Sequence, residues 1–586
     1  MCYVIEKRGL SEQQLYAKGA TMTAKIAIGI QDFEKLRKGN YFYVDKTQMI
    51  QEWWESGDDV TLITRPRRFG KTLNMSMIEQ FFSVDYAERA DLFEGLSIWK
   101  EEEYRALQGS YPVISLSFAR VKDTNLPDAK TRIHEIISSI FNKYSFLKEE
   151  TFLSENEQAY VDKLLSQYAS DVDVTSSLHR LSEFLYRYYG KKVLILLDEY
   201  DTPMQEAYIG GYWEELVGFM RNLFNSTFKT NPCMERGLMT GITRVSKESI
   251  FSDLNNLKVV TTTSESYATA FGFTEQEVFA TLEKYGLSTE KEKVKFWYDG
   301  FIFGKQKEIY NPWSILNFLD EREYSNYWAN TSSNGLIGKL LREGDKSVKE
   351  KFETLLRGET LEEIIDEQIV YNQLDYNETA IWSLLLASGY LKVVGRREGT
   401  RQTYGAKRLY ELAITNFETK CMFEDMVLGW FGEAKSDYND FIKALLLGDI
   451  DAMNEYMSRV ARRTFSYFDV GNGPLGDEPE RFYHGFVLGL LVELQNRYVI
   501  TSNRESGFGR YDVMLEPLHP KQDVAVILEF KAKNKRREKT LEETLEAALE
   551  QIAERQYVAQ LEEKGIPKER IFCYGIVFEG KTVLVG

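Results

Sequence analysis

Three short apolar runs, each ending in polar residues, organise the first half of the chain. Asp59 to Thr64 (DVTLIT) leads through RPRRFGKT into LNMSMIEQFF, whose apolar positions recur at helical spacing, so the order reads strand, loop, helix. Val193 to Leu197, within KKVLILLDEYDTP, is a continuous apolar run of the kind that forms a parallel strand buried on both faces, and it ends in Asp198 and Glu199. A third run, RGLMTGITRVSK from Arg236 to Lys247, passes from apolar to polar. Between about Trp313 and Thr464 helical periodicity dominates. It is broken by Glu378 to Leu412, which reads helix, glycine turn, strand, polar hairpin, strand, the order of a winged-helix element. From Phe482 an apolar helix is followed by two strand-like stretches, RYVITSNRESGFGRYDVMLEP and DVAVILEFKAKNK, and then by a helix carrying LEQIAERQY.

This pattern predicts an α/β protein in several parts. The expected boundaries are an extension over 1–21, a first α/β domain over 22–312, a helical and winged-helix-like region over 313–465, and a C-terminal α/β domain over 466–586. Composition agrees, since 586 residues at 43% hydrophobic exceed what one core holds. Cys2, Cys233, Cys421 and Cys573 are too scattered for a zinc cluster or disulfide framework, and with no apolar signal core near the start they point to a reducing cytoplasm. No apolar stretch approaches the roughly 18 residues a membrane span needs, so no membrane partner is expected. The net charge of −17 excludes diffuse binding of nucleic acid and confines any such contact to a local patch. Lys531, Lys533, Lys535, Arg536, Arg537 and Lys539 form the conspicuous basic run, which reads either as solvated surface or as such a patch.

The first strand–loop–helix unit carries a phosphate-binding pattern. In it the loop amides and helix N-terminus surround phosphates, Lys71 reaches the β- and γ-phosphates and Thr72 ligates Mg²⁺. The expected nucleotide-binding segment is Arg65, Pro66, Arg67, Arg68, Phe69, Gly70, Lys71 and Thr72. Arg65 stands where the pattern has its first glycine. The three arginines either add positive charge around an anion or face solvent and acidic neighbours. Asp198 is expected to hold the Mg²⁺ hydration shell, with Glu199 polarising the attacking water. Thr243 and Arg244, at the polar end of the third run, are the candidate γ-phosphate sensors, Arg244 reading equally as a structural ion-pair partner. Arg221 and Arg244 are the candidates for an arginine supplied by a second copy.

The C-terminal strands offer a second constellation. Adjacent strands would bring Asp512 and Glu529 to one metal, with Lys531, two residues on and therefore on the same face, orienting a water. Phosphodiester cleavage needs such hard oxygen ligands, an activated water and charge stabilisation. With no basic recognition helix in the winged-helix-like stretch, a spacer role is favoured there over DNA binding.

YFYVDKT (Tyr41 to Thr47), RPRRFGKT, LLDEYD (Leu196 to Asp201), GITRVSK (Gly241 to Lys247) and the YDGF…YNPWS pair (Tyr298 to Ser314) resemble the bacterial AAA-ATPase-like proteins, which join a P-loop ATPase region to a C-terminal PD-(D/E)XK-like domain. The resemblance implies a P-loop fold related to AAA+ and STAND ATPases, and makes the missing glycine a family trait. It matches Asp512, Glu529 and Lys531 to the nuclease motif and adds His484, Glu505 and Gln551 as further site candidates. The expected function is ATP binding and hydrolysis joined to Mg²⁺-dependent cleavage of nucleic acid. The alternatives are a nucleotide-gated signalling switch with an unknown partner or trigger, and a DNA-tethering protein with a non-cleaving nuclease fold. An oligomer is left open.

Overall fold

The structure is a computed structural model. It describes residues 24–586 except 150–151, 167–168, 245–249, 252–253, 329–334, 345, 367–373, 375–376, 399–407, 431–437, 465–486, 488–490, 492–493, 495–496, 503–504, 507–508, 511–512, 521, 534–537, 555–556 and 580–581. The chain divides into two compact units, Met1–Gly344 with Thr354–Met422 and Asp345–Glu353 with Phe423–Gly586. The stretch expected as one middle region, 313–465, is therefore shared between them.

The first unit is built on five parallel strands, β1 (Val60–Thr64), β2 (Val113–Ser117), β3 (Val193–Asp198), β4 (Met234–Gly241) and β5 (Leu257–Val260), in the order β2-β3-β4-β1-β5. β1 and β3 are buried at every position, which is why both read as unbroken apolar or β-branched runs. Register brings Thr64 opposite Gly241 and Ser117 opposite Asp198, so the ends of β1, β2, β3 and β4 share one carboxyl edge. Ligands in open α/β sheets bind at that edge.

A short antiparallel sheet follows, with β6 (Phe273–Thr274), β7 (Asp299–Phe303) and β8 (Gln306–Tyr310) in the order β6-β8-β7. Tyr298 and Tyr310 are fully buried in its aromatic core. The expected helix, glycine turn and strands are also present: a helix over Glu378–Ala387, Gly389 in the left-handed region, then paired strands. With β9 (Leu361–Ile364), β10 (Leu391–Glu398) and β11 (Arg408–Ile414), the ladder runs β10-β11-β9. β9 lies in a stretch whose periodicity reads as helical. Its sequence LEEI has no strand pattern of its own, and pairing with β11 determines its conformation.

The second unit holds β12 (Tyr498–Ser502), the small hairpin β13 (Glu505–Ser506) and β14 (Gly509–Arg510), and β15 (Val513–Pro517), β16 (Ala525–Ala532), β17 (Ile571–Glu579) and β18 (Thr582–Val585). Its main sheet runs β12-β15-β16-β17-β18, with only β16 and β17 parallel. Phe441, Leu445, Met453 and Met457, from helices Tyr438–Leu447 and Ile450–Thr464, share one core with Val526, Leu528 and Ile576 of this sheet. Helix Leu541–Glu554 packs on β16 and β17. Among the described residues no helix is long and apolar enough to cross a membrane.

Gly389 reports how the helix–hairpin element meets the loop after β1. Its φ is 86°, and a methyl group there would lie 2.7 Å from Pro66 Cγ. Gly389→Ala is expected to cost about 1–3 kcal/mol from backbone strain and overpacking; an unchanged melting temperature would show that the contact is not maintained.

Candidate functional site

β1 delivers the chain to Arg65, and two left-handed residues, Arg68 (φ 65°) and Gly70 (φ 82°), curl the loop before helix Lys71–Phe82 begins. Alternation of left- and right-handed residues turns successive N–H groups to one side and makes an anion-binding concavity, here ahead of the positive end of a helix dipole. Lys71 is buried, and its Nζ donates to the carbonyls of Arg65 and Pro66, each at 2.8 Å. Burial pushes its ammonium down to about 8, against the pull of Asp198, Glu199 and Asp201. Thr72 Oγ1 donates to Asp198 Oδ2 at 2.7 Å. Thr240, from the neighbouring strand β4, donates to the other Asp198 oxygen. Glu199 is itself left-handed (φ 52°) and accepts from Thr202 Oγ1 at 3.2 Å. Such a conformation costs a non-glycine residue energy and recurs at functional sites.

Arg65 does not add charge to this concavity. It is fully buried, and its guanidinium donates to the carbonyls of Thr64 (2.9 Å), Thr261 (2.8 Å), Ser266 (3.2 Å) and Tyr267 (3.3 Å) while lying 4.5 Å over the Phe303 ring. Burial pushes its ionisation down to about 9, opposed by Glu52. Arg68 stacks 4.1 Å over Trp313, and Phe69 is buried between Phe301 and Phe303. Of the three arginines, Arg67 alone makes a polar side-chain contact near the acidic strand, donating to Gln205 at 3.3 Å.

Thr243 is occupied too. Asp201 accepts its amide (2.7 Å), its hydroxyl (2.8 Å) and the Ile242 amide (2.9 Å), and Tyr200 OH donates to its carbonyl at 2.7 Å. The β4 side chain that reaches Asp198 is Thr240, which the sequence did not single out. Only the strand's exact end, at Gly241, reveals which threonine meets the acidic strand. Arg244 is half-buried just beyond, and Arg221 is half-buried on helix Trp213–Phe228.

In the second unit, Glu529 is buried near the end of β16 and accepts a hydrogen bond from Gln551 Nε2. Lys531 Nζ donates to the Ala547 carbonyl at 2.9 Å. Glu529, Lys531 and Gln551 therefore meet on one side of the strand, against helix Leu541–Glu554. Val513, which follows Asp512 in sequence, pairs with Leu528, the residue before Glu529. Asp512 and His484 lie outside the described residues, as do Lys535, Arg536 and Arg537 of the basic run; Glu505 is a backbone member of β13. Lys533 is taken up by Glu579 at 2.8 Å.

Comparison with known proteins matches residues 27–251 to the family described as predicted AAA-ATPase and residues 478–586 to the PD-(D/E)XK nuclease superfamily. The chain joins an AAA-ATPase-like domain to a PD-(D/E)XK nuclease superfamily domain. A curated relative, the uncharacterized protein in the vnfD 5′ region of Azotobacter chroococcum mcd 1, is 26% identical over 406 residues, covering 69% of this chain and 70% of its own. Among solved structures, the Aeropyrum pernix ORC2 protein, determined as ADPNP–ADP complexes, covers 65% of this chain and 92% of its own at 9% identity, with a TM-score of 0.23.

In the AAA-ATPase-like domain, a hydroxyl and a carboxylate 2.7 Å apart, at Thr72 and Asp198, fit a hard divalent cation such as Mg²⁺. The carboxylates Glu275, Asp299 and Glu308 also converge. There Lys295 Nζ sits among them, bonded to Glu275, 2.7 Å from Glu308 and 4.0 Å from Asp299, so this is an ion-pair network. In the PD-(D/E)XK domain, Glu529 is a buried carboxylate of the kind a metal site uses.

Two outcomes are expected. Lys71→Ala abolishes ATP binding in a calorimetric titration while the circular-dichroism spectrum is retained; unchanged affinity would remove nucleotide from this loop. Arg65→Met costs at least about 3 kcal/mol, because four carbonyls lose their donor inside the protein. A variant as stable as the parent would show that those bonds do not hold the loop.

Proposed function

We propose that the AAA-ATPase-like domain binds ATP with Mg²⁺ and hydrolyses it, and that the PD-(D/E)XK domain of the same chain cleaves phosphodiester bonds of nucleic acid in a metal-dependent reaction, in the cytoplasm. The observation that carries the first half is the convergence of Lys71, Thr72, Asp198, Glu199 and Thr240 on one sheet edge in front of a helix N-terminus.

Binding requires Lys71 Nζ to exchange the Arg65 and Pro66 carbonyls for phosphate oxygens. The loop amides receive the phosphates in line with the helix axis. Asp198 and Thr72 would hold a divalent cation, whose chemistry is to offset the phosphate charge. Glu199 orients the attacking water and accepts its proton as the bond to the γ-phosphorus forms and the bond from that phosphorus to the β–γ bridging oxygen breaks, releasing ADP and phosphate. In the PD-(D/E)XK domain, Glu529 with Asp512 would hold a divalent cation, whose chemistry is to activate water and polarise the phosphate. Lys531 orients that water and stabilises the developing charge, and Gln551 fixes the Glu529 carboxylate.

One observation favours a second reading, a nucleotide-gated switch with slow turnover. Lys71 is already satisfied by its own loop, so exchange of partners opposes rapid nucleotide entry and release.

The test uses the full chain with single-stranded and duplex DNA and RNA, Mg²⁺ or Mn²⁺, and ATP present or absent. Glu529→Ala is expected to abolish cleavage. Glu199→Gln is expected to reduce ATP turnover by about 10²-fold or more while ATP still binds. Cleavage that survives Glu529→Ala moves the nuclease site elsewhere. Absence of cleavage under every condition, with ATP still bound, selects the switch or the DNA-tethering reading, which metal-independent DNA binding would separate.

A further inference from the structure

The loop of the AAA-ATPase-like domain is held from outside by side chains about 240 to 260 residues away. The Arg67 carbonyl accepts from Trp328 Nε1 at 3.0 Å and from Asn311 Nδ2 at 3.4 Å. Both donors are buried. Asn311 is fixed by a second duty, since its Oδ1 accepts from Trp313 N at 2.8 Å and caps helix Pro312–Glu321. Trp328 is wedged 5.4 Å from both Phe301 and Tyr390, and its backbone N–H donates to Glu418 Oε1 at 2.6 Å. Glu418 is in turn held by Ser314 Oγ at 2.8 Å.

In a trans peptide the carbonyl and the following N–H point in opposite directions, and the chain has no cis peptide bonds among the described residues. Holding the Arg67 carbonyl outward therefore turns the Arg68 N–H away from Asn311 and Trp328. We propose that Asn311 and Trp328 are positioning residues for nucleotide binding, which aim the Arg68 amide at the phosphates through the Arg67 carbonyl. The reading rests on nucleotide binding at this loop. Its physical sense lies in Arg65: without a first glycine the loop has less freedom to wrap an anion on arrival, so its amides are set in advance by outside donors.

Asn311→Asp separates this role from a structural one. It keeps the oxygen that caps the helix and replaces the donating NH₂ with an oxygen that repels the Arg67 carbonyl. Asn311→Ser, which can cap but cannot reach that carbonyl, and Trp328→Phe, which keeps a ring without the N–H, act in the same direction. The dissociation constant of Mg²⁺–ATP is measured by calorimetry on the full chain, beside the melting temperature without nucleotide and beside Lys71→Ala. Loss of one such bond is expected to weaken ATP binding about 3- to 10-fold in every variant that still melts cooperatively, although the buried carboxylate of Asn311→Asp also lowers the nucleotide-free melting temperature. Variants that melt earlier yet bind ATP with parental affinity overturn the proposal, as do stable variants of parental affinity when Lys71→Ala no longer binds. Parental affinity in Lys71→Ala itself would instead defeat the nucleotide reading on which the proposal stands.

Discussion

A guanidinium taken out of water needs acceptors, and Arg65 imposes that demand through its two terminal nitrogens at the first position of the phosphate loop. Its hydrogen bonds bind the end of β1 to the segment after β5, and its face rests on a β7 aromatic. A glycine there would leave the loop free to adapt. The arginine exchanges that freedom for a fixed path, and the conformations of Arg68 and Gly70, the reach of Lys71 and the approach of Asn311 and Trp328 all follow from where the path leads.

The motifs outside the loop acquire a shared physical meaning from this. Gly300 has no side chain because the Thr415 carbonyl passes 1.9 Å from where its Cβ would be. Asn416 donates to the Tyr298 carbonyl, and Glu418 accepts from Ser314 and from the Trp328 amide. The β7–β8 hairpin, helix Pro312–Glu321 and the start of helix Phe417–Trp430 thus form one hydrogen-bonded support whose contacts with the loop are a carbonyl bond and aromatic faces. The motif at Asp198 divides its labour in the same manner. Asp198 and Glu199 face the loop and sheet edge, whereas Tyr200 and Asp201 turn back to hold Gly241 to Thr243 in place.

In the C-terminal domain the governing constraint is a carboxylate inside a strand buried over six of its eight residues. Glu529 is tolerable there because Gln551 donates to it, and Lys531 lies against the same helix. The acidic chain as a whole repels nucleic acid, so recognition by this domain would depend on local cations. Lys533, neutralised by Glu579, contributes little to that.

Period and composition determined a good deal by themselves. Continuous apolar or β-branched runs marked β1 and β3, because a strand covered on both faces offers few polar positions. GKT after such a run, and acids at the end of another, located Lys71, Thr72, Asp198 and Glu199, because chemistry at a sheet edge is written in residues next to their strands. Glu529 and Lys531 were legible by their alternation on one strand, whereas Gln551, on the helix that follows, came only from the family resemblance. Tertiary structure alone decided what the arginines do, since whether a guanidinium meets phosphate, solvent or carbonyls depends on segments 196 to 202 residues away. It alone decided that Thr240 reaches Asp198, because strand ends are set by pairing, and that LEEI is a strand, because β11 supplies the hydrogen bonds its own sequence does not request. The outside donors to the Arg67 carbonyl belong to this second class: a hydrogen bond between residues so far apart leaves no period in the sequence, and only the folded chain brings them together.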